Sequence, residues 1–548
     1  MLQRCIHCIK KIIFACVENI RVSPDDYVHS IDEKDCLKHQ TAYVWLILVL
    51  AVGVRLIICC VQPCQPDEGF VYLLTHNSVP VIMQRLGMDS HPPTHNLLMR
   101  PLILRTCNFI VLRLPEALGS VAAAYACFLL GERIRRGCGI WVGALYALSL
   151  SVGMNTCQLR AYGFLDCCIW LTIYMCVNII DYGCPWRRSG RWQWLFFFLT
   201  ALGAASLHYT GTLVVAVLWT VSAVSAFKHT SQSRFKPLLC LGGALLPVSL
   251  WLVYAVFGNN NYMNNVHAFS TNLAELYYVA VYVCGIQFVP NLLIDLHEYI
   301  AFDCYSTFVS ITWKLLIALV WFFTLRGVCV LYFVNRKLLL TLILPFLALL
   351  LSLIISNLRL VQYMQCRHYL PLAPVVFVCL IAGAYPVKLA CVSNKLGITL
   401  VGFILAANLF QSVSMIWSSP LIAYDFKEIN SFVGKHNADK TALIVDGSML
   451  SMAMMVNFGH GAVSFDFSDG SIRYAEGYRG PEVIPLNPFY LHDNYEVLTG
   501  KSVFLLMSAF DEIRIGYLRV LNEQFGVIDC KVIKSYWGDM EIYQLQRR

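Results

Sequence analysis

A chain of 548 residues that is 58% hydrophobic and only 14% charged, with a mean hydropathy of +0.61, is too apolar for a water-soluble fold and reads as a polytopic membrane protein. The net charge of +8 is dispersed over short loops without any nucleic-acid motif, so the implied partner is anionic membrane lipid and no nucleic acid. Most of the 23 cysteines sit in apolar runs such as Cys59-Cys60 and Cys167-Cys168, where Cys acts as a small buried hydrophobe, so few or no disulfides and no zinc spacing are expected.

Residues 1–42 form a basic segment without a cleavable signal, because Arg4, Lys10 and Lys11 interrupt its apolar residues. Ile6, Ile9, Ile13 and Val17 recur at helical spacing, which fits either an amphipathic helix on the inner leaflet or a plain basic anchor. The first span, Tyr43 to Cys60, carries Arg55 near its outer end, where snorkelling to the interface is the ordinary fate. A polar loop, 61–115, follows. Apolar segments then recur at about 115–131, 140–157, 161–180, 193–207, 209–227, 237–257, 307–325, 338–356, 370–387 and 396–416, making about eleven transmembrane helices within 43–418. Residues 325–334 are ambiguous.

Basic clusters at Arg133/Arg135/Arg136, Arg187/Arg188/Arg191, Lys228/Arg234/Lys236, Arg336/Lys337 and Lys388/Lys395 alternate between spans, and the positive-inside rule puts them in the cytoplasm. By parity, 61–115, the turns 158–160 and 207–209, the loop 258–305, and 357–369 face outward. Everything after Ser418 does too. That places the site on the periplasmic or extracellular side of a bacterial inner membrane, or the lumenal side of the ER in a eukaryote.

The tail, 419–548, changes composition. Ala442 to Gly447 and Ser502 to Met507 read as buried strands, Met449 to Val456 as a helix, Ala462 to Phe467 as a strand, and Val527 to Ser535 with Glu541 to Leu545 as a closing hairpin. Asp511 to Phe525 has helical periodicity, and Asp466 to Arg479 reads as a mobile loop. Alternating strands and helices make this a small α/β domain outside the membrane, with no Gly-rich nucleotide fingerprint.

Candidate chemistry gathers on the outer side. Asp67-Glu68 stands about seven residues beyond the first span, where a carboxylate can serve as general base for an acceptor hydroxyl or hold a cation, or simply be a solvated interfacial pair. Asp89 and His91-Pro92-Pro93 follow, the Pro-Pro step stiffening the chain around His91. Asp67, Asp89 and His91 form a candidate ligand set for a divalent cation, Mg or Mn, with His95 nearby; a positional role for His91-Pro92-Pro93 explains the same residues. Gln158-Leu159-Arg160-Ala161-Tyr162, Leu207-His208-Tyr209 and Arg367-His368-Tyr369-Leu370-Pro371 each open an apolar span on that side. They are interfacial sets by default, though Arg160 and Arg367 together could grip a phosphate.

In this order, Arg55, Asp67-Glu68, His91-Pro92-Pro93, Leu112-Arg113-Leu114-Pro115, Arg160-Ala161-Tyr162 and Leu207-His208-Tyr209 resemble the GT-C superfamily of integral-membrane glycosyltransferases. The nearest group contains the protein O-mannosyltransferases and the lipid A aminoarabinose transferases. The resemblance covers Arg55 to Tyr209 and resumes at Arg367 to Pro371. It implies a polyprenyl-phosphate-linked sugar donor, a catalytic acid in the first outer loop, and basic residues at the donor phosphate. Carried onto this sequence, Asp67 is the catalytic candidate with Glu68 beside it, and Arg160, Arg367 and Arg55 are the phosphate-binding candidates. Asp89, His91, Gln158, Tyr162, His208, Tyr209, His368 and Tyr369 are substrate-binding candidates. Gln158 departs from the pattern, since many members carry Glu two residues before the Arg of Arg-x-Tyr, and an amide cannot take a proton in the same way.

The implied activity is hexosyl or pentosyl transfer to a hydroxyl of an envelope glycolipid such as lipopolysaccharide, another glycan, or a protein. Two readings from other classes compete: a lipid-linked sugar transporter or flippase, for which Asp166 is the main buried acid, and an inactive scaffold of the same fold.

Overall fold

The apolar segments read from the sequence are largely helical where the structure describes them. The structure is a computed structural model and describes residues 33–87, 91–185, 191–228, 235–258, 280, 283–284, 305–357, 370–385, 392–422, 426–434, 441–446, 448–486, 500–508, 525–533 and 540–547. The basic segment before residue 33, Asp89, Arg367, His368, Tyr369 and nearly all of the helix expected over 511–525 lie outside the described residues.

The first long helix is α1 (Glu33–Val61). The stretch expected to be a loop follows, and the structure corrects it: it holds three short helices, α2 (Pro66–Thr75), α3 (Val79–Leu86) and α4 (Thr94–Ile103). The next span, α5 (Phe109–Glu132), also starts a turn and a half earlier than expected, because Asn108 caps it by accepting from the amides of Ile110 and Val111 at 2.9 and 3.4 Å. The local reason for α2 is legible in its first residues. Pro66 occupies the first helical position, where its missing N–H costs nothing, and Glu68 turns back to accept from the Gln65 amide at 2.9 Å.

The expected span 140–157 is broken. It becomes α6 (Gly139–Leu148) and α7 (Leu150–Thr156), with Ser149 extended between them. Backbone groups freed by a break inside a membrane domain must be satisfied by protein. Arg55 does this, and it does not snorkel. It is 1% exposed and points inward, donating to the carbonyls of Tyr146 and Ala147 at the end of α6, and to Ser120 Oγ at 3.1 Å. On the other side of the break, Asn408 Oδ1 accepts from the Leu150 amide at 3.1 Å.

The bundle continues through α8 (Tyr162–Tyr182), α9 (Arg191–Leu207), α10 (Tyr209–Lys228), α11 (Phe235–Gly258), α12 (Tyr305–Val334), α13 (Arg336–Asn357), α14 (Ala373–Ala384) and α15 (Val392–Ile422). α12 runs through the ambiguous 325–334. Among the described residues six helices are long and apolar enough to cross a membrane: Thr41–Val61, Phe109–Glu132, Tyr162–Tyr182, Phe235–Ala255, Ile311–Val334 and Lys395–Ser414. The shorter apolar helices include Gly139–Leu148, Trp192–Leu207, Tyr209–Val224 and Leu370–Ala384. The chain is an integral membrane protein.

α5, of 24 residues, spans about 36 Å at 1.5 Å per residue, so its two ends mark opposite poles of the bundle. At one pole Arg133 is paired with Asp181, Lys337 stands 3.4 Å from the same carboxylate, and Asn335 donates to the Arg133 carbonyl at 3.2 Å. The starts of α2, α5 and α8 and the α9–α10 turn mark the other pole, where the candidate site lies.

After α16 (Phe426–Val433), the tail folds as an α/β unit. It contains β1 (Thr441–Asp446), α17 (Ser448–Gly459), β2 (Val463–Asp466), β3 (Ser471–Tyr474), β4 (Glu482–Leu486), β5 (Ser502–Ser508), β6 (Phe525–Ile533) and β7 (Met540–Arg547). The five-stranded sheet has the order β4-β1-β5-β7-β6, with β1 parallel to β4 and β5 and the expected β6–β7 hairpin antiparallel. The expected mobile loop 466–479 is instead partly a hairpin. β3 pairs with β2, and the turn closes through Gly470 at φ +75, with Ser468 and Arg473 bonded to Asp466. These contacts hold the Asp466 carboxyl below its ordinary range, the Ser468 hydroxyl first among them.

The C-terminal α/β unit packs directly on the short helices after α1, and one apolar core joins them: Tyr72, Leu73 and Met99 from α2 and α4 with Met452, Ala453 and Met455 of α17. Asn457 Nδ2 donates to the Cys64 carbonyl at 3.1 Å, and Asn77 exchanges hydrogen bonds with the backbone of Phe465 and Phe467. α2 meets α17 at Gly69, where an added Cβ would stand 2.7 Å from the Ala453 nitrogen. Gly69→Val is therefore expected to push the two units apart and cost about 1–3 kcal/mol. A lower Tm of the purified protein, with faster proteolysis between the bundle and β1, checks this.

Candidate active site

Asp67 and Glu68 are consecutive on α2, so their side chains diverge by about 100° and meet different partners. Glu68 turns inward and is fully buried. Its Oε1 accepts from Arg113 Nε at 2.8 Å and the Leu159 amide at 2.7 Å, and its Oε2 accepts from Arg113 Nη2 and the Gln65 amide. Arg113, 1% exposed, spends its remaining N–H groups on the carbonyls of Cys59, Gln62 and Pro63. With all its bonding positions committed to the chain, Glu68 is arranged to hold structure, not to meet a substrate.

Asp67 points the other way, with its side chain 20% exposed, and is paired with Arg160 Nη1. Arg160 Nη2 lies 3.0 Å from His91 Nε2. Arginine only donates, so His91 accepts at Nε2 and carries its proton on Nδ1. The guanidinium also lies over the Tyr162 ring, 5.5 Å from its centroid. His91 meets the His208 ring edge to face at 5.0 Å, and Tyr162 lies 5.7 Å from the same ring. His208 Nδ1 accepts from the Thr210 amide at 3.1 Å, which fixes the ring at the start of α10. Five residues singled out from separate stretches of sequence, Asp67, His91, Arg160, Tyr162 and His208, thus meet in one centre.

The other candidates fall elsewhere. Arg55 closes α6 inside the bundle. Gln158 lies in the turn before α8, its carbonyl accepting from the Arg160 amide at 2.7 Å. Tyr209 packs beside Leu74, Ile82 and Trp251. Asp89, Arg367, His368 and Tyr369 are outside the described residues. Of the proposed cation ligands, Asp67 and His91 do come together, but Arg160 sits between them and bonds to each. A bridging guanidinium already supplies the positive charge there, so the described residues do not fit a Mg or Mn site.

Sequence reading missed Glu116, a buried acid on α5. Its Oε1 lies 2.9 Å from His95 Nε2, and its Oε2 accepts from the Phe164 amide at 2.9 Å, which closes the N-terminus of α8. The helix carrying Tyr162 is thereby tied to the segment carrying His91. α5 and α8 approach closely enough there that a Cβ at Gly163 would collide with the Glu116 carbonyl. No local pattern marks Glu116, since its partners come from two other segments.

Two cavities flank the centre. One, of about 480 Å³, begins at Pro92 and Pro93 beside His91 and is lined by Ser206, Pro247, Trp251 and Tyr254. Its outer wall is α11, whose Leu250 and Tyr254 are 62% and 49% exposed on a span, so the cavity opens toward the lipid side. The other, of about 290 Å³, lies behind Arg113 between the end of α1 and α17. At its border burial pushes the Cys64 thiol well up and the Tyr72 phenol up to about 12.

No family model and no curated protein sequence matches this chain. Solved structures of similar course do exist. ArnT from Cupriavidus metallidurans, bound to undecaprenyl phosphate, shares 11% identity at a TM-score of 0.47, with 92% of this chain and 98% of that one covered. An oligosaccharyltransferase of Archaeoglobus fulgidus, tethered to an acceptor peptide, shares 12% at 0.43, with 88% and 72% covered. The mycobacterial arabinofuranosyltransferase AftD shares 13% at 0.35, with 91% and 40% covered. All three are GT-C glycosyltransferases.

The division of labour between the adjacent acids is measurable. Glu68→Gln leaves Arg113 buried without its counter-charge and is expected to cost about 3–5 kcal/mol. Asp67→Asn removes a carboxylate that is itself 20% exposed and leaves Arg160 its contact with His91, and is expected to cost less, about 1–2 kcal/mol. Thermal unfolding of the two variants in the same detergent checks this; equal losses would overturn the assignment.

Proposed function

We propose that this protein is a glycosyltransferase that moves a sugar from a polyprenyl-phosphate-linked donor to an acceptor hydroxyl at the outer membrane face. The observation that carries this reading is the Asp67–Arg160–His91 centre, whose His91 is followed directly by Pro92 and Pro93 of the wall of a largely apolar cavity. A donor of this class has a prenyl tail, which needs an apolar groove open to the bilayer, and a phosphate, which needs a cation at the end of that groove. Pro92, Pro93 and Trp251 supply the first and Arg160 the second.

In the proposed reaction the acceptor oxygen attacks the anomeric carbon, a C–O bond forms, and the bond from that carbon to the phosphate oxygen breaks. Asp67 takes the acceptor proton, and the polyprenyl phosphate leaves with the bonding electrons. Arg160 stabilises the charge that grows on the leaving phosphate through charge-assisted hydrogen bonds in a partly buried site. Direct displacement of this kind inverts the anomeric configuration. Tyr162 and His208 wall the space where the sugar ring would lie, and Glu68, Arg113 and Glu116 hold the segments that carry the reacting groups. The acceptor is a hydroxyl of an envelope glycolipid, another glycan or a protein.

Asp67→Asn, assayed in membranes supplied with labelled polyprenyl-phospho-sugar, is expected to lower transfer by about 10²–10⁴-fold at normal expression. Wild-type turnover in that variant would sink the proposal. Arg160→Lys keeps the charge but not the two-pronged geometry, and is expected to raise the KM for donor about tenfold, read from initial rates over a donor series.

A further inference from the structure

The cavity behind Arg113 is not lined by Asp67, Arg160 or His91. At about 290 Å³ it stands at the small end of ligand pockets, which run from about 300 Å³ upward, and has room for a single sugar unit but not a prenyl chain. Its walls combine two kinds of surface. Tyr72 and Phe109 place aromatic rings 5.4 Å apart and tilted by 47°, giving apolar faces on which the C–H side of a pyranose can lie. Gln62 and His460 add amide and imidazole groups of the kind that exchange hydrogen bonds with hydroxyls, and Asn108 and Asn457 add Nδ2 and Oδ1, their Oδ1 and Nδ2 being spent on the α5 cap and on the Cys64 and Ala453 carbonyls.

Charge narrows the ligand further. Arg113, the charged residue in this lining, is neutralised by Glu68 and has its N–H groups committed to that carboxylate and to backbone carbonyls. Among the described residues the cavity therefore has no free Lys or Arg for a phosphate and no free carboxylate for an amine. Gln62 supplies the independent sign of a missing ligand. It is 4% exposed, and its Oε1 has no hydrogen-bond partner among the described residues. Gln62 also lines the cavity, and a rotation of its side chain would turn this acceptor to a hydroxyl donor there.

We propose that this cavity is a neutral saccharide subsite, formed jointly by the membrane domain and α17, that holds a sugar residue of a glycan acceptor apart from the donor centre. This rests on the glycosyltransferase reading and narrows its acceptor from any hydroxyl to a carbohydrate. It also gives the outer domain a task in acceptor binding, because Asn457 and His460 belong to it. A glycan seated between the two units is positioned by both.

The test uses the full chain in nanodiscs without donor lipid. Binding of methyl α-D-mannopyranoside and methyl β-D-glucopyranoside is followed by saturation-transfer difference NMR, with glycerol as a control. At least one glycoside is expected to bind saturably while glycerol does not. Gln62→Leu is expected to weaken that binding at least fivefold with Tm unchanged or raised, and Asp67→Asn to bind as wild type. His460→Ala, at the exposed rim, gives a second variant if Gln62→Leu does not fold, with a loss of at least twofold expected. Absence of glycoside binding to the wild type would overturn the subsite. So would binding that survives both cavity variants, or binding lost in Asp67→Asn and kept in Gln62→Leu, which would place the sugar at the donor centre. Because no turnover is involved, failure here leaves the Asp67→Asn transfer assay standing, and an inactive enzyme leaves this binding result standing.

Discussion

The buried Glu68–Arg113 pair is the constraint on which the pole bearing the candidate site depends. Two charges taken out of water are costly unless every bonding position is filled, and here they are. The carboxylate takes the Leu159 and Gln65 amides as well as the guanidinium, and the guanidinium takes carbonyls from 59–63. One ion pair thus fastens the end of α1, the start of α2, the first turn of α5 and the turn before α8. The proposed reacting pair inherits its geometry from this knot, for Asp67 precedes Glu68 in sequence and Arg160 follows Leu159.

The same device recurs elsewhere in the bundle. Arg55 closes the broken end of α6, and Glu116 closes the start of α8 while holding His95. In a domain that excludes water, the free amides and carbonyls of a helix end must be met by side chains from another helix. Arg55 and Glu116, charged residues that look misplaced in an apolar sequence, thus meet the backbone where other helices stop or start. Helix ends are also where polar groups can converge, which is why the candidate centre sits among the ends of α2, α4, α8 and α9.

Apolar span positions were legible because a membrane helix must stay apolar for its whole length, and the β–α alternation of the tail was legible because its strands are buried runs. The short helices α2, α3 and α4 were not, since Pro66, Pro80, Pro92 and Pro93 give the stretch the composition of a loop. Read by position, Pro66 followed by Glu68 is a helix start, and that signal was present. The break at Ser149 was hidden by an unbroken apolar run, and with it the reason for Arg55 to turn inward. Asp469-Gly470 is a hairpin turn that the polar composition of 466–479 masked. In the site, Asp67, His91, Arg160, Tyr162 and His208 were legible as ordered motifs. Glu116 and the second cavity were not, because each exists only through contacts between distant segments.

Arg160 has two partners in the structure as it stands, Asp67 and His91, and the proposed chemistry gives it a third in the donor phosphate. A phosphate arriving from the apolar cavity competes for the same guanidinium. Each hydrogen bond it draws away from Asp67 leaves a carboxylate oxygen facing the place where an acceptor hydroxyl must stand. The base is then least engaged when the leaving group is best held, and most engaged when no donor is present. In the proposed reaction such an arrangement would make the donor the condition for deprotonating the acceptor, through one side chain with a fixed fork and two claims on it.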